Sequence, residues 1–346
     1  MQNTAASITC FLLRDEPLQL RNTFRVPVRA ARFSEIRDAR ALPELLERPQ
    51  VRGLPVFVLG EGSNLLFTHD YEGLVLHIAN TGILTLDSDG GSTRIRVAAG
   101  EHWDSFVRWS LKHGYAGLEN LILIPGTVGA APVQNIGAYG TEAGEFIVNV
   151  EAWDLAKREF VQLDKTACAF AYRTSLLKQE SQRYVVTAVD FELPHHHELR
   201  TAYAGVSKEL EALAIENPGP SDVALAVEVL RRRKLPDPAL IPNAGSFFKN
   251  PVLPRERVTD LLRAFPGMPI YHSDESTSKI SAAWLIETCG FKGVRDGDAG
   301  VSDKHALVLV NYGHATGAEI WALAVRIRDA VALRFGITLE PEPVIL

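Results

Sequence analysis

The chain has 346 residues, enough for two or three domains with ample cores. Its 46% hydrophobic and 23% charged residues are the balance of a soluble globular protein, and a net charge of −6 argues against a nucleic-acid-binding surface. Cys10, Cys168 and Cys289 lie far apart with no CxxC pair, which removes a disulfide scaffold and a zinc site from consideration.

In chain order, the apolar patch 5–13 has no lysine or arginine before it, so it lacks the basic start of a signal peptide. A cytoplasmic location and no membrane insertion are expected. Residues 26–33 alternate like a strand, 34–46 predict a helix capped by Ser34, and 55–59 form a short apolar strand. Up to residue 193 the chain is strand-rich, with candidates at 74–78, 93–98, 148–153, 160–163 and 184–191, interrupted by a helix at 103–113. Runs of strands with few helices indicate an α+β fold. Residues 194–222 read as a polar loop, followed by a helix at 223–233 that Pro236 and Pro238 stop, with a domain boundary near 225. Helices at 255–264, 282–288 and 317–335 and a strand at 306–311 complete the chain; the last helix carries Ile320, Leu323, Ala324, Ile327 and Val331 at core-facing spacing.

Two loops stand out chemically. Residues 120–141 carry no charge, yet Pro125, Pro132, Gly126, Gly129, Gly137 and Gly140 exclude a helix or strand. In hydrocarbon the freed backbone groups would lack partners, so a membrane span fails. What remains is an apolar loop whose main chain approaches something flat and points N–H groups at something anionic, as a dinucleotide cofactor requires. The strand at 55–59 runs into Gly60-Glu61-Gly62-Ser63-Asn64-Leu65, a tight turn suited to a pyrophosphate. Leu65 occupies the third-glycine position of G-x-G-x-x-G, and no Lys-Ser/Thr ending marks a P-loop. By itself the turn reads equally well as plain punctuation after a strand.

With these loops, Asn22-Thr23-Phe24, Tyr172-Arg173, the run Asn243-Ala244-Gly245-Ser246-Phe247-Phe248-Lys249-Asn250-Pro251, and Leu339-Glu340-Pro341-Glu342 follow one family's order. The chain resembles the UDP-N-acetylenolpyruvoylglucosamine reductases (MurB), in their longer class with a substrate-closing tyrosine loop. The resemblance covers nearly the whole chain. It implies a vanillyl-alcohol-oxidase-type FAD-binding fold of two α+β subdomains, 1–73 and 74–224, with 337–346 returning to the first, plus a separate α+β substrate-binding domain, 225–336. It also implies an NADPH-dependent oxidoreductase of peptidoglycan precursor synthesis. The reaction reduces UDP-N-acetylglucosamine enolpyruvate to UDP-N-acetylmuramate by hydride transfer through non-covalent FAD and protonation by a serine.

The same resemblance assigns residues. Gly60, Gly62, Ser63, Asn64 and Leu65 of the first loop, and Gly126, Thr127, Gly129, Ala130, Gln134, Asn135 and Ile136 of the second, are the FAD-binding candidates. Arg173 is the carboxylate clamp, because a guanidinium presents a planar fork and stays charged; the competing reading is a surface arginine in a turn. Ser246 is the proton donor, supported by Lys249 and the Gly245 turn, against the reading of a common Gly-Ser turn. Glu342 polarises the substrate carboxylate, against an exposed glutamate near a frayed terminus. Only four residues follow it, which leaves its anchoring open. Lys234, at the end of a basic run read otherwise as a solvated helix face, suits the substrate diphosphate. Tyr203 resembles the tyrosine that closes over the nucleotide, and Tyr172 and Asn250 are further substrate contacts. His195-His196-His197 has no ligand partner at metal-binding spacing, so a solvated loop is expected there and no metal. A flavin oxidase of the same fold and a non-catalytic nucleotide-binding module are the competing functions; intact Arg173, Ser246 and Glu342 argue against the latter.

Overall fold

Leu74, Val75 and Leu76 make an apolar run that Ile78 resumes after His77, and in the computed structural model these four are buried at the middle of a parallel sheet, where a strand is covered on both faces. Residues 10–203, 205–273 and 275–346 are described; the 5–9 part of the N-terminal patch and Ala204 of the Tyr203 motif lie outside them. The chain divides into two units, each assembled from three stretches.

The first unit comprises the chain up to Glu16, Ala30–Glu61 and Tyr71–Arg231. One of its sheets has four strands in the order Leu13–Pro17, Arg29–Ile36, Tyr71–Ile78, Val56–Leu59. Phe33 and Phe57 both register against Val75, in parallel ladders on either side. The predicted helix at 34–46 is corrected here. The strand continues through Ile36, and the helix is confined to Leu42–Glu47, with Pro43 in its first turn. Ser34 pairs with Leu76 in the ladder, and its hydroxyl donates to the Phe11 carbonyl at 2.9 Å instead of capping a helix.

The second sheet is antiparallel, in the order Glu159–Asp164, Ile147–Asp154, Tyr184–Pro194, Ser92–Ala98, Ile83–Ser88. The helix Trp103–Lys112 buries Trp103, Phe106 and Val107, with the Phe106 ring 4.8 Å from that of Phe191. Residues 194–222 are not a plain loop. They hold the helix Val206–Ala212, which buries Val206 and Leu210, and the start of the helix Pro220–Lys234.

The second unit comprises Pro17–Arg29, Gly62–Asp70 and Arg232–Leu346. Its larger sheet runs Asn243–Ser246, Val308–Asn311, Ala299–Val301, Arg295–Asp296, and a smaller one runs Val252–Pro254, Thr277–Ile280, Ile270–Ser273. The helix Gly317–Phe335 starts at a capping box, Thr316 with Glu319, and buries Ile320, Leu323, Ala324, Ile327 and Val331 as its spacing requires. A two-stranded pair closes the unit: Val344–Ile345 lies parallel to Leu65–Leu66, and the Thr68 amide and hydroxyl both donate to the Leu346 carbonyl at 2.6 Å. Among the described residues, no helix is long and apolar enough to cross a membrane.

Candidate active site

In the first unit the two glycine-rich loops touch. A β-carbon on Gly60 would lie 2.7 Å from Thr127 Oγ1, and the Gly126 amide donates to Glu61 Oε2 at 2.8 Å. Glu61 also lies against His102 Nδ1. The second loop turns through the short 3-10 helix Val128–Ala130, packed so closely that a β-carbon on Gly129 would lie 2.6 Å from Ala99 Cβ. The expectation that this loop offers its N–H groups to an anion holds poorly. The amides of Val128, Gly129, Ala130 and Ala131 donate to Glu101, Ala99, Thr127 and Val128 carbonyls. Asn135 is buried with φ 46°; its Oδ1 accepts the Gly144 amide at 2.8 Å and its Nδ2 donates to Glu142 and Ala171. Its side chain therefore shapes the loop, and only its backbone is left for a cofactor.

The first loop differs. Among the described residues, the amides of Glu61, Gly62 and Ser63 donate no hydrogen bond. Gly62 has φ 66°, and a β-carbon there would run into the Arg21 carbonyl, while Thr23 donates to the Gly62 carbonyl at 3.1 Å. Consecutive unengaged N–H groups in a left-handed turn form an anion nest, so the first loop fits a pyrophosphate. The second offers half-buried Gln134 and apolar Ile136 as walls.

Tyr172 and Arg173 form a two-residue turn closed by paired hydrogen bonds between Ala171 and Thr174. Arg173 has φ 56°, a left-handed conformation uncommon outside glycine and one that marks functional turns. Its Nη2 donates to the Gly137 carbonyl at 2.6 Å and its guanidinium lies 5.3 Å from the Tyr172 ring. A half-buried, tethered arginine is not the surface arginine of the competing reading. Tyr203, 39% exposed, stands edge-to-face with Tyr139 at 6.1 Å.

In the second unit the structure brings the backbone of Glu342 against Phe247, the residue after Ser246. The strand Asn243–Ser246 pairs with Val308–Asn311 through an irregular register, in which Gly245 at φ 71° takes the left-handed position of a bulge and re-aims the next residue. The buried Asn243 locks that bulge by accepting the Gly245 amide at 2.9 Å. Phe247 and Phe248 turn into the core at 1% exposure each. Alongside, the Glu342 amide donates to the Phe247 carbonyl at 2.8 Å and the Lys249 amide to the Glu340 carbonyl at 3.0 Å. The open question of how Glu342 is anchored is thus answered on both sides, since Val344 next donates to the Asn64 carbonyl at 3.0 Å. The Lys249 ammonium pairs with Glu340 at 3.1 Å. Asn250 Oδ1 accepts the Ala282 amide at 3.0 Å, at the start of the helix Ala282–Thr288 that Ser281 caps.

Three side chains carried no clear sequence signal. Arg231 does not belong to a solvated helix face: its Nε is buried without a hydrogen-bond partner, and burial holds its guanidinium below the ordinary arginine value, against the favourable phenol of Tyr139 and carboxylate of Asp104. His305 is likewise held low by burial and by the charges of Lys234 and Lys292, and its Nδ1 accepts the Leu307 amide, so the neutral ring carries its hydrogen on Nε2. Asn120 is buried, and its amide donates to the Tyr139 and Arg200 carbonyls. His195 is used by Thr93 and Gly90, and among the described residues no group of three or more His, Cys, Asp or Glu side chains is arranged to hold a metal ion.

Residues 237–346 match a family described as UDP-N-acetylenolpyruvoylglucosamine reductase, C-terminal domain, and residues 30–164 match an FAD binding domain. The UDP-N-acetylenolpyruvoylglucosamine reductase of Xylella fastidiosa (strain M12) is 54% identical over 327 residues, covering 94% of this chain and 93% of that protein. Its namesake in Chromobacterium violaceum is 50% identical over 334 residues, covering 96% and 98%. Among solved structures, the UDP-N-acetylenolpyruvylglucosamine reductase of Thermus caldophilus shares the fold, with a TM-score of 0.66 over 97% of this chain and 98% of that one at 23% identity.

Proposed function

The chain belongs to the UDP-N-acetylenolpyruvoylglucosamine reductase family, and from that premise we propose that it uses NADPH to reduce UDP-N-acetylglucosamine enolpyruvate to UDP-N-acetylmuramate. It is an oxidoreductase with FAD as its cofactor, and its α+β fold is the FAD-binding fold implied by the resemblance. The cytoplasmic location, the role in peptidoglycan precursor synthesis and the three-part division at 1–73, 74–224 and 225–336 belong to this reading. So does the longer class with a closing tyrosine, which the exposed Tyr203 beside Tyr139 supports.

When bound, FAD supplies hydride to the substrate's enolpyruvyl double bond. Gly60, Gly62, Ser63, Asn64, Leu65, Gly126, Thr127, Gly129, Ala130, Gln134, Asn135 and Ile136 would hold it. The chain's own residues do the remaining work. Arg173, pre-set by its turn and its bond to Gly137, presents a charged fork to the substrate carboxylate, where negative charge gathers as the double bond is reduced. Ser246 Oγ donates the proton to the carbon bearing that carboxylate, and the backbone of the Gly245 bulge steadies the alkoxide left behind. Glu342 shares a proton with the carboxylate. Lys234, Tyr203, Tyr172 and Asn250 engage the UDP-sugar, Lys234 as a point charge for phosphate.

The observation that supports this reading is the peptide ladder of 340–342 along 247–249, which fixes the backbone of Glu342 against Phe247, the residue after Ser246. A Ser246→Ala variant reduced anaerobically with NADPH is expected to bleach its flavin at the wild-type rate. On adding the UDP-sugar it should regain oxidised absorbance about 10²-fold or more slowly, the scale of general acid catalysis. Equal loss in both half-reactions would remove the proton-donor role, and wild-type protein that stays bleached would remove the substrate.

A further inference from the structure

The turn that carries Tyr139 is tied to the segment that carries Tyr203 by one buried amide. Gly137–Ala138 pairs with Thr141–Glu142 through a two-residue turn in which Tyr139 has φ 49° and Gly140 φ 84°. Gly140 accepts this conformation freely; Tyr139 does so only against a steric penalty, so its position has to be imposed by its neighbours. Asn120, 1% exposed, imposes it: Nδ2 donates to the Tyr139 carbonyl at 3.0 Å and to the Arg200 carbonyl at 2.9 Å. Its Oδ1 is buried without a hydrogen-bond partner, and an inverted amide would set that oxygen against two carbonyl oxygens, so the donating orientation is the only favourable one.

The bridge is doubled from the other side. Arg200 Nη1 donates to the Gly140 carbonyl at 2.5 Å, and its guanidinium pairs with Glu145 at 2.7 and 2.5 Å. Glu145 in turn receives the Glu142 amide at 2.8 Å, at the foot of the same hairpin. Tyr139, Gly140 and residues 197–203 line a hollow of about 610 Å³, with the two tyrosine rings edge-to-face on it. The width of that hollow is set where its two walls are joined, and Asn120 joins them.

We propose that Asn120 is a positioning residue that holds the Tyr203 segment in register with the Tyr139 turn, and so sets how well the nucleotide end of the UDP-sugar is held. The proposal rests on the reading that Tyr203 meets that nucleotide. Asn120→Asp keeps the shape but replaces the donor with an acceptor that faces two carbonyls. It is expected to raise KM for UDP-N-acetylglucosamine enolpyruvate about tenfold or more, while kcat and the limiting rate of flavin reduction at saturating NADPH stay within about twofold of wild type. Without any ligand, hydrogen–deuterium exchange over residues 199–203 should quicken in the variant.

A structural role alone would lower FAD retention and slow both half-reactions together, and that pattern would overturn the proposal. So would unchanged KM with unchanged exchange. If Asn120→Asp does not fold, Asn120→Ala, which removes both donated bonds without setting a charge against the two carbonyls, is read by the same two measurements. Quickened exchange in a protein whose wild type does not reduce the UDP-sugar would uphold the bridge and reject the substrate assignment, so the two failures separate.

Discussion

A β-carbon on Gly60 would sit 2.7 Å from Thr127 Oγ1 and 3.4 Å from its Cγ2, and no left-handed backbone angle forbids one. An alanine there is acceptable to its own backbone and unacceptable only to its neighbour. Gly60→Ala is therefore expected to destabilise the protein by about 1–3 kcal/mol, the usual range for overpacking, and to weaken FAD binding by spreading the two loops. Thr127→Ala removes both offending atoms, so the double variant should recover most of the loss. A double-mutant cycle on denaturation midpoints, with FAD titration beside it, tests this; additive effects would show that the loops do not meet as described. The sequence announced that these glycines mattered, but not why. At residues 60, 62 and 129 the atoms that exclude a side chain belong to Thr127, Arg21 and Ala99, and no local pattern names partners so distant in the chain. For the same reason Asn120 and Arg200 were invisible: an amide that bridges residues 19 and 80 positions away leaves no spacing to read. Arg231 was hidden differently, inside a basic run whose other members are exposed.

The strand Ile147–Asp154 ends on a carboxylate that organises the turn after it. Asp154 is 1% exposed; Oδ1 accepts the Ala156 and Lys157 amides at 2.9 and 3.0 Å, and Oδ2 accepts Arg183 Nε at 3.0 Å. Burial by itself pushes this carboxyl up, but Arg183 and the two amides outweigh it and hold it below the ordinary aspartate value. A depressed folded-state pKa stabilises the fold above the unfolded value of about 4 and loses that contribution as pH falls through the folded one. Asp154→Asn should thus lower stability at pH 7 by roughly 1.5–3 kcal/mol, the worth of hydrogen bonds to a charged group. The gap to wild type should narrow below about pH 4, where the native carboxyl also protonates. Urea midpoints at pH 7, 5 and 3.5 decide it, and a gap that stays constant down to the most acid point would rule out the titration. Elements of this kind, with apolar alternation and a clear end, were readable in advance: the strand predicted at 148–153 and the helix at 255–264 are found as Ile147–Asp154 and Arg255–Ala264. Ser34 misled because a serine before an amphipathic run looks like a cap until a neighbouring strand claims its backbone. Ile83–Ser88 was missed because an edge strand exposed along most of its length has no buried face to leave a period in the sequence.

Across the whole molecule, family matching and physical units cut the chain differently. The matched C-terminal region is 237–346, whereas the compact unit built on it also needs Pro17–Arg29 and Gly62–Asp70. Those short stretches supply Phe24, Val26, Leu65, Leu66 and Phe67, all at most 5% exposed. Phe24 lies edge-on to Phe247 at 6.3 Å, its carbonyl accepts Asn311 Nδ2 at 3.0 Å, and Leu65–Leu66 is the strand on which Val344–Ile345 pairs. Gly317, the first residue of the long helix, is glycine because the Phe67 carbonyl fills the space of a β-carbon. At about 2 kcal/mol for each large side chain buried, losing the five would remove about 10 kcal/mol, as much as the entire net stability of an ordinary domain. A fragment spanning 232–346 is therefore expected to lack a fixed tertiary structure: little dispersion in its proton NMR spectrum, no cooperative thermal transition, and helical circular dichroism limited to what the helix Gly317–Phe335 retains alone. The arrangement that fixes the Glu342 backbone against Phe247 would go with it, because the ladder on 247–249 is continued by the pairing to Asn64 and Leu65. A fragment that melts cooperatively with well-dispersed resonances would mean that the N-terminal stretches decorate this unit instead of completing it.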